Sequence, residues 1–371
     1  MIRFEIIHDA SRFDAVREPW QALWTAYDGG VFQSHAWIKA WLMHAGPAFQ
    51  LRIGVAWQND RLVAVLPLAM HRYFGLRILE WAAQSLSDYC DSFGDPASVT
   101  KLWMMLRSRG IDVIRLKNVA PEAQARSFLA ASRLNAIEDD CCMLIQSQWP
   151  DGAAWFRTLN KKKRNNHARG LRILAAIAPT RVECHSTVPA GLIDHLVALK
   201  LAWLRANELS SPLLENGPVL LAALAEALAE IGKLCIVIIR CGDEVVAASI
   251  NAVENDRLLA FFAAYDPRYD RASPGILLMT EYTKWAFDNG FTVIDYLRGA
   301  ESYKFEFATK QVNLTSFVGA RTLRGIITLA LYRIGNTWKE SQKPLTKPLD
   351  SGGAYSTKAG TSRMEDPIPA N

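Results

Sequence analysis

The 371-residue chain lacks most of the groupings that announce metal or covalent chemistry. Its six cysteines (Cys90, Cys141, Cys142, Cys184, Cys235, Cys241) form no CxxC pair and show no zinc spacing, so reduced thiols and no metal site are expected. The seven histidines are dispersed, and no Ser-His-Asp or Cys-His arrangement can be read. No window of about eighteen uncharged apolar residues occurs, so no transmembrane helix is expected. The first residues, MIRFEIIHDASRF, have no basic segment leading into an apolar one, so no signal peptide is expected and a cytoplasmic location is the reading.

What is present is bulk for a core: half the residues are apolar and twelve are Trp. The length predicts two domains, or one domain built twice. A net charge of +5 suits an anionic small ligand at least as well as a nucleic acid. Alternation predicts a strand over Ile2–Ile7, and a helix over 11–27 with Ser11 as its cap. Ser34 caps a second helix. A hairpin follows, LRIGVAW and RLVAVLPLAM, turning at Gln58-Asn59-Asp60, and then the strand RILEWAA. The pattern returns later as LCIVIIR, a turn at Cys241-Gly242-Asp243, EVVAASINAV and RLLAFFAAY. RGIDVIRL and NGFTVIDYL each follow a predicted helix ended by Gly110 or Gly290. The reading is therefore a duplication at a spacing of roughly 180 residues.

Between the halves, a single polar-capped helix is predicted over 151–178. On it Arg157, Lys161, Arg164 and Arg172 make a basic strip, to be weighed against an ordinary solvated face. His167 is expected at the surface. The segment RTLRGIITLALYRIGNTWK (Arg321 to Lys339) is expected to pack on the domain, with a peripheral membrane interface as the alternative. From Lys343 the chain is rich in Pro, Gly, Ser and Thr and is expected to be disordered.

The chemistry concentrates late in the chain. RLLAFFAAY runs through DPRYDRASPG into a helix, and helix starts expose N–H groups that attract anions. Arg268, Arg271, Ser273, Gly275 and Ile276 would form a diphosphate cradle; the plain alternative is a Ser-Pro helix start with solvated arginines. TVIDYL then ends in RGAESYKFEF. Asp295 inside that strand is an odd structural choice, and Arg298, Glu301, Tyr303 and Lys304 crowd its exit. Asp295–Arg298 and Glu301–Lys304 ion pairs are the competing reading.

The run from Tyr265 through Lys304, together with FQSHAWIKAW and SDYCD (Ser87 to Asp91), resembles the CelD/BioF2-like acetyltransferases. These are a branch of the GCN5-related N-acetyltransferase (GNAT) superfamily related to the Fem peptidyltransferases. The resemblance implies an α/β fold of the α+β type: two tandem GNAT-like domains, each a mixed central sheet flanked by helices. The expected boundaries are 1–150, a degenerate domain serving as acceptor wall; 151–180, a basic connecting helix; 181–322, the domain with the donor site; 323–342, a C-terminal helix; and 343–371, the tail.

It further implies a GNAT-type acyltransferase that uses acetyl-CoA or another acyl-CoA as co-substrate and no metal. The acceptor would be a small molecule or a glycan- or lipid-linked amine or hydroxyl, in polysaccharide or cell-envelope biosynthesis, worked on in the cytoplasm or at the inner membrane face. Asp295, Glu301 and Tyr303 would be catalytic. Lys161, Arg164, Asp88, Tyr89, Arg298, Gly299 and Lys304 would bind the acceptor. Arg271-Ala-Ser-Pro-Gly275 has one glycine where the usual GNAT signature has two. Two alternatives stand beside this reading: a Fem-like transferase drawing on aminoacyl-tRNA, and a non-catalytic binding module.

Overall fold

The computed structural model describes residues 1–107, 110–215, 217–299 and 301–331. Strand β1 (Ile2–Ile7) leads into helices α1 (Ala10–Ala15), α2 (Arg17–Ala26) and α3 (His35–Leu42). The single helix predicted over 11–27 is thus two, parted at Val16. Its cap is Asp9, whose carboxylate accepts from the Arg12 N–H at 2.8 Å, and Ser11 falls inside the first turn. Ser34 caps α3 as expected, accepting from the Trp37 N–H at 3.2 Å.

Strands β2 (Phe49–Leu51), β3 (Ile53–Gln58), β4 (Arg61–Leu66), β5 (Leu68–Tyr73) and β6 (Leu76–Trp81) follow. Asn59 and Asp60, with φ of 48° and 61°, make the expected tight turn between β3 and β4. The predicted second arm is not one strand. Pro67 has no N–H to donate, and at that point the chain leaves one sheet for another.

Next come β7 (Phe93–Gly94), α4 (Pro96–Leu106), β8 (Val113–Val119), α5 (Ala125–Ala130), β9 (Asn135–Gln146), α6 (Gly152–Thr158) and α7 (Lys161–Ala175). The connecting segment is therefore two helices. Leu159 is extended at ψ 145°, and the Asn160 side chain caps α7 by accepting from the Lys163 N–H at 2.9 Å. Arg157 belongs to the other helix, so no continuous strip runs from Arg157 to Arg172. His167 is not at the surface: it is 7% exposed, with Nε2 2.6 Å from Glu281 Oε1.

The second half contains β10 (Thr180–His185), α8 (Leu192–Ala206), α9 (Val219–Glu230), β11 (Leu234–Cys241), β12 (Glu244–Glu254), β13 (Arg257–Tyr265), α10 (Pro274–Asp288), β14 (Val293–Arg298), α11 (Ser302–Phe305) and β15 (Lys310–Ala320). Antiparallel β10–β11–β12–β13 closes with a parallel β13–β14 pair. The first half repeats this order, with antiparallel β1–β3–β4, antiparallel β5–β6 and a parallel β6–β8 pair. The final strands are exchanged: β9 pairs with β14, β15 pairs with β8, and the two pair with each other along their length. A 4-stranded sheet and an 11-stranded sheet result, the latter running through both halves. The architecture is the expected one of two tandem α/β units.

The halves also share a core. Trp20, Trp37 and Trp41 lie in one buried cluster with Leu221 and Leu224 of α9. Residues 323–331 form a helix whose start is tied down, since Thr322 Oγ1 donates to Asp112 Oδ1 at 2.8 Å. The expectation that this helix packs on the domain fails along its apolar face: Leu323, Ile326, Ile327 and Leu331 are 72%, 56%, 52% and 64% exposed. The remainder of the predicted C-terminal helix and the predicted disordered tail lie outside the described residues.

Two helical glycines test the packing. A Cβ on Gly170 of α7 would lie 2.5 Å from the Ala272 carbonyl oxygen, whereas one on Gly275 would sit 3.5 Å from the Tyr265 ring. Gly170→Ala is expected to cost about 1–3 kcal/mol in urea unfolding. Gly275→Ala should stay within about 0.5 kcal/mol of wild type. Equal effects would mean that α7 yields freely at its crossing with residues 267–272.

Candidate functional site

Strands β13 and β14 pair at only three positions, Arg257↔Val293, Leu258↔Ile294 and Leu259↔Asp295. Beyond them the strands part, so the far edge of β13 up to Tyr265 has no strand partner among the described residues. Irregularities flank the opening. A register shift between β12 and β13 skips Phe261. Another, between β14 and β9, contains Leu297 at φ 57°, a left-handed conformation unusual for a leucine. The Asp295 carboxylate stabilises that kink by accepting the Leu297 N–H at 2.8 Å.

Asp295 is fully buried. Its Oδ2 accepts from the Tyr89 hydroxyl and from Arg257 Nη2, each at 2.7 Å. Burial pushes the Asp295 carboxyl up, and Arg257, Tyr89 and the Leu297 N–H only partly offset it. Burial, then the Asp295 charge, likewise raises the Tyr89 hydroxyl, so it stays protonated and donates. Arg257 also lies over the Tyr89 ring, 5.4 Å from its centroid. One carboxylate thus ties together β13, β14 and the segment after β6.

Next to it, Arg298 Nε donates to Asp88 Oδ1 at 2.5 Å and Nη1 to Asn118 Oδ1 at 3.2 Å, with Asp140 Oδ2 3.8 Å away. The chain then turns at Gly299, where φ is 112° and a Cβ would lie 2.5 Å from Glu301 Oε2, so only glycine is accommodated. Lys304 is 5% exposed; its Nζ donates to the Arg298 carbonyl at 2.7 Å and sits 2.8 Å from Glu301 Oε2. Glu301 keeps a third of its side chain in solvent. Burial, then the charge of Glu301, raises the Tyr303 hydroxyl. Across from them, burial lowers the Lys200 ammonium against the opposing pull of Glu301. Lys200 Nζ lies 4.7 Å from the Trp203 ring centroid.

Each member of SDYCD has a place. Ser87 Oγ accepts from Trp37 Nε1 at 3.2 Å, Asp88 meets Arg298, Tyr89 meets Asp295, and Cys90 is buried. Asp91 accepts the Gln124 and Ala125 N–H groups at 2.8 Å at the start of α5, and burial pushes its carboxyl up to about 6.

The predicted cradle lies at the start of α10. Ser273 is left-handed (φ 55°, ψ 57°), its side chain caps nothing, and its carbonyl accepts both the Ile276 and Leu277 N–H groups at 3.1 Å. The Gly275 N–H makes no backbone bond among the described residues. Ser273, Ile276 and Arg271 are exposed, and Arg271 has no ion pair among the described residues. Arg268 is engaged, its Nε 2.7 Å from Asp266 Oδ2 and its Nη2 2.9 Å from Glu244 Oε2. On α7, Lys161 is exposed, while Arg164 donates to the Arg157 carbonyl at 2.8 Å and to the Leu159 carbonyl. Arg164 thereby caps α6.

The structure therefore gathers Asp88, Tyr89, Asp295, Arg298, Gly299, Glu301 and Lys304 into one network. It sets Arg268, Arg271, Ser273, Gly275 and Ile276 at the α10 start, and Lys161 and Arg164 apart on α7. Arg257, Asn118, Asp140 and Lys200 were missed. Lys200 carried a signal, as a single cation in the apolar run LVALKLAWL. A shallow hollow of about 430 Å³ beside Tyr27 and Asn59 touches none of these residues.

Removing the countercharge should expose the cost of a buried carboxylate. Arg257→Met is expected to lose about 3–5 kcal/mol at neutral pH. Because the folded-state Asp295 pKa lies above its unfolded value, the folded protein favours the protonated acid, and stability falls as pH rises through that interval. Without Arg257 the interval widens, so the deficit should shrink toward about pH 4.5 in urea melts. A deficit of constant size across pH would contradict this.

Residues 161–305 match the family model described as an acetyltransferase (GNAT) domain. No curated protein matches the sequence. Among solved structures, FemX has a TM-score of 0.58 at 9% identity, covering 89% of this chain and 99% of its own. A conserved protein of unknown function from Bacteroides thetaiotaomicron has a TM-score of 0.54 at 13% identity, covering 86% and 99%. The C-terminal domain (DUF2156) of a putative lysylphosphatidylglycerol synthetase from Agrobacterium fabrum has a TM-score of 0.53 at 11% identity, covering 82% and 92%. The parted parallel strands thus lie in a chain of GNAT/Fem-like fold, within the stretch that matches an acetyltransferase domain.

Proposed function

We propose that this protein is an acyltransferase of the CelD/BioF2 type. It moves an acyl group, acetyl in the simplest case, from acyl-CoA to an amine or hydroxyl of an acceptor in envelope or polysaccharide assembly. The observation that carries the reading is the gap between β13 and β14, with an anion-ready helix start following β13 and the Glu301 carboxylate following β14. Residues 181–322 supply the donor side. Residues 1–150 supply the acceptor wall, and 151–180 the connection.

The residues present fit a CoA diphosphate. The open Gly275 N–H, the Ser273 hydroxyl that caps nothing and the exposed Arg271 lie within five residues of one another at the positive end of α10. Arg268, held by two carboxylates, positions the 267–272 turn instead. When bound, the thioester supplies an acyl carbon with a thiolate leaving group.

The unpaired edge of β13 offers backbone N–H groups to the acyl oxygen, an oxyanion-hole role. Glu301 accepts the proton of the attacking N–H or O–H as the new bond to the acyl carbon forms. The C–S bond breaks, and Tyr303, whose hydroxyl stays protonated, supplies the proton to sulfur and is reprotonated from Glu301. Asp295, which sequence suggested as a base, is too enclosed for proton exchange with an acceptor in this scheme. It and Arg298 position the strand exit, and Lys304 orients Glu301. Lys200, which feels the Glu301 charge, is a cation available to an anionic acceptor at this site; Lys161, exposed on α7, would meet a longer acceptor.

Titration calorimetry with acetyl-CoA tests the donor assignment. Saturable binding to wild type, weakened at least tenfold in Gly275→Glu and Arg271→Glu, is the expected result. Glu301→Gln should bind acetyl-CoA as wild type does, yet release free thiol at least 100-fold more slowly across a panel of amine and hydroxyl acceptors. No binding to wild type at millimolar acetyl-CoA would defeat the reading. Binding of aminoacyl-tRNA that weakens steeply with salt would replace it with the Fem-like one.

A further inference from the structure

We infer that one end of the first-half sheet is a docking surface for an anionic lipid bilayer, an inference independent of the acyl-transfer reading. Its hub is Asp112, at 4% exposure the start of the edge from which β8 runs. Asp112 Oδ2 accepts the Arg77 N–H at 3.0 Å and Arg77 Nε at 3.1 Å, which fixes the β5–β6 hairpin next to its turn. The Asp112 carbonyl accepts the Arg321 N–H at 2.8 Å, and its Oδ1 accepts from Thr322, which fixes the start of the 323–331 helix. A Cβ on Gly325 would lie 2.0 Å from the same carbonyl, so the helix presses its glycine face onto β8. Hairpin tip and helix are thereby held at one end of the molecule by a single residue.

Both elements present apolar side chains to solvent. At the hairpin tip Phe74, with φ 45°, is 71% exposed. On the helix, Leu323, Ile326, Ile327 and Leu331 are all more than half exposed. At helical spacing they span an arc of about 140° opposite Gly325. An apolar stripe of this kind on a helix anchored at its start suits insertion into the headgroup boundary, with the helix lying in the membrane plane.

The charge around the stripe selects the lipid. Arg72, Arg321 and Arg324 are exposed and have no ion pair among the described residues. Arg77 is 42% exposed at the side chain, and Arg52 lies close enough to it to depress its own pKa further, after burial. Five arginines thus lie on or beside the two elements that Asp112 anchors, and Arg77 holds that aspartate at about 2 and therefore ionised. An anionic headgroup layer complements this excess, and each arginine near such a layer raises affinity by roughly fivefold. Among the described residues no helix is long and apolar enough to cross a membrane, so contact would be made by this surface.

The test is cosedimentation of the full chain with phosphatidylcholine vesicles, alone or with about a third phosphatidylglycerol. Wild type should sediment with the anionic vesicles only, and high salt should release it. Arg324→Glu should weaken binding at least fivefold, and Phe74→Ser with Ile327→Ser should abolish it. Ile177→Ser, at a 62% exposed apolar residue outside this surface, should bind like wild type. Thermal melts confirm that the variants fold, as expected for exposed positions. Failure of wild type to bind, or equal loss from Ile177→Ser, would overturn the proposal. So would a wild-type dimer that Ile327→Ser dissociates, since a second copy would then be the occupant.

Discussion

The buried Arg257–Asp295 pair is the interaction on which the rest depends. A carboxylate inside a protein is tolerated only when its charge is met and its lone pairs are filled. Here the partners come from three places: the start of β13, the backbone of Leu297, and Tyr89 from the other half of the chain. Satisfying one side chain therefore fixes the point where β13 and β14 part, the kink that follows, and the seating of the first half against the second. The Arg298 cluster repeats the device one step further along, reaching Asp88 and Asn118. The opening between the strands is thus built by charge placed behind it, and the residues left facing it are few.

The exchange of β9 and β15 explains why both halves are needed. Neither half completes its sheet with its own final strand, so β14, which borders the second half's gap, is flanked on its other edge by β9 from the first. The first half is structurally required, because it supplies Tyr89, Asp88 and a strand. This also limits what any boundary near residue 150 means, since β9 belongs to the first half in sequence and to the second in pairing.

Much of this was legible in sequence for local reasons. Asn59-Asp60 and Gly242 mark turns, the hairpins alternate, and Asp295 stood out because a charged residue inside an apolar strand needs a partner. SDYCD stood out as well, without any indication of what it would touch. What was not legible is non-local. Nothing in RLLAFFAAY says that its leading Arg257 pairs with Asp295, or that strands more than 150 residues apart exchange. Competing caps also read alike: Asp9 and Ser11 are both good helix starters, and only the extended backbone at Asp9 decides between them. Asn160 breaks a helix that its neighbours would continue, and the exposed face after Arg321 contradicts the ordinary expectation that apolar stripes are covered.

In the proposed reaction the donor enters where β13 and β14 part and rests on the start of α10. Amide hydrogen exchange with and without acetyl-CoA tests it most directly. Slowed exchange is expected only in the outer part of β13 and the first turn of α10, from about Ala260 to Leu277, with α7 unchanged. Protection centred on α7 at Lys161–Arg164, or no change anywhere at saturating acetyl-CoA, would contradict it.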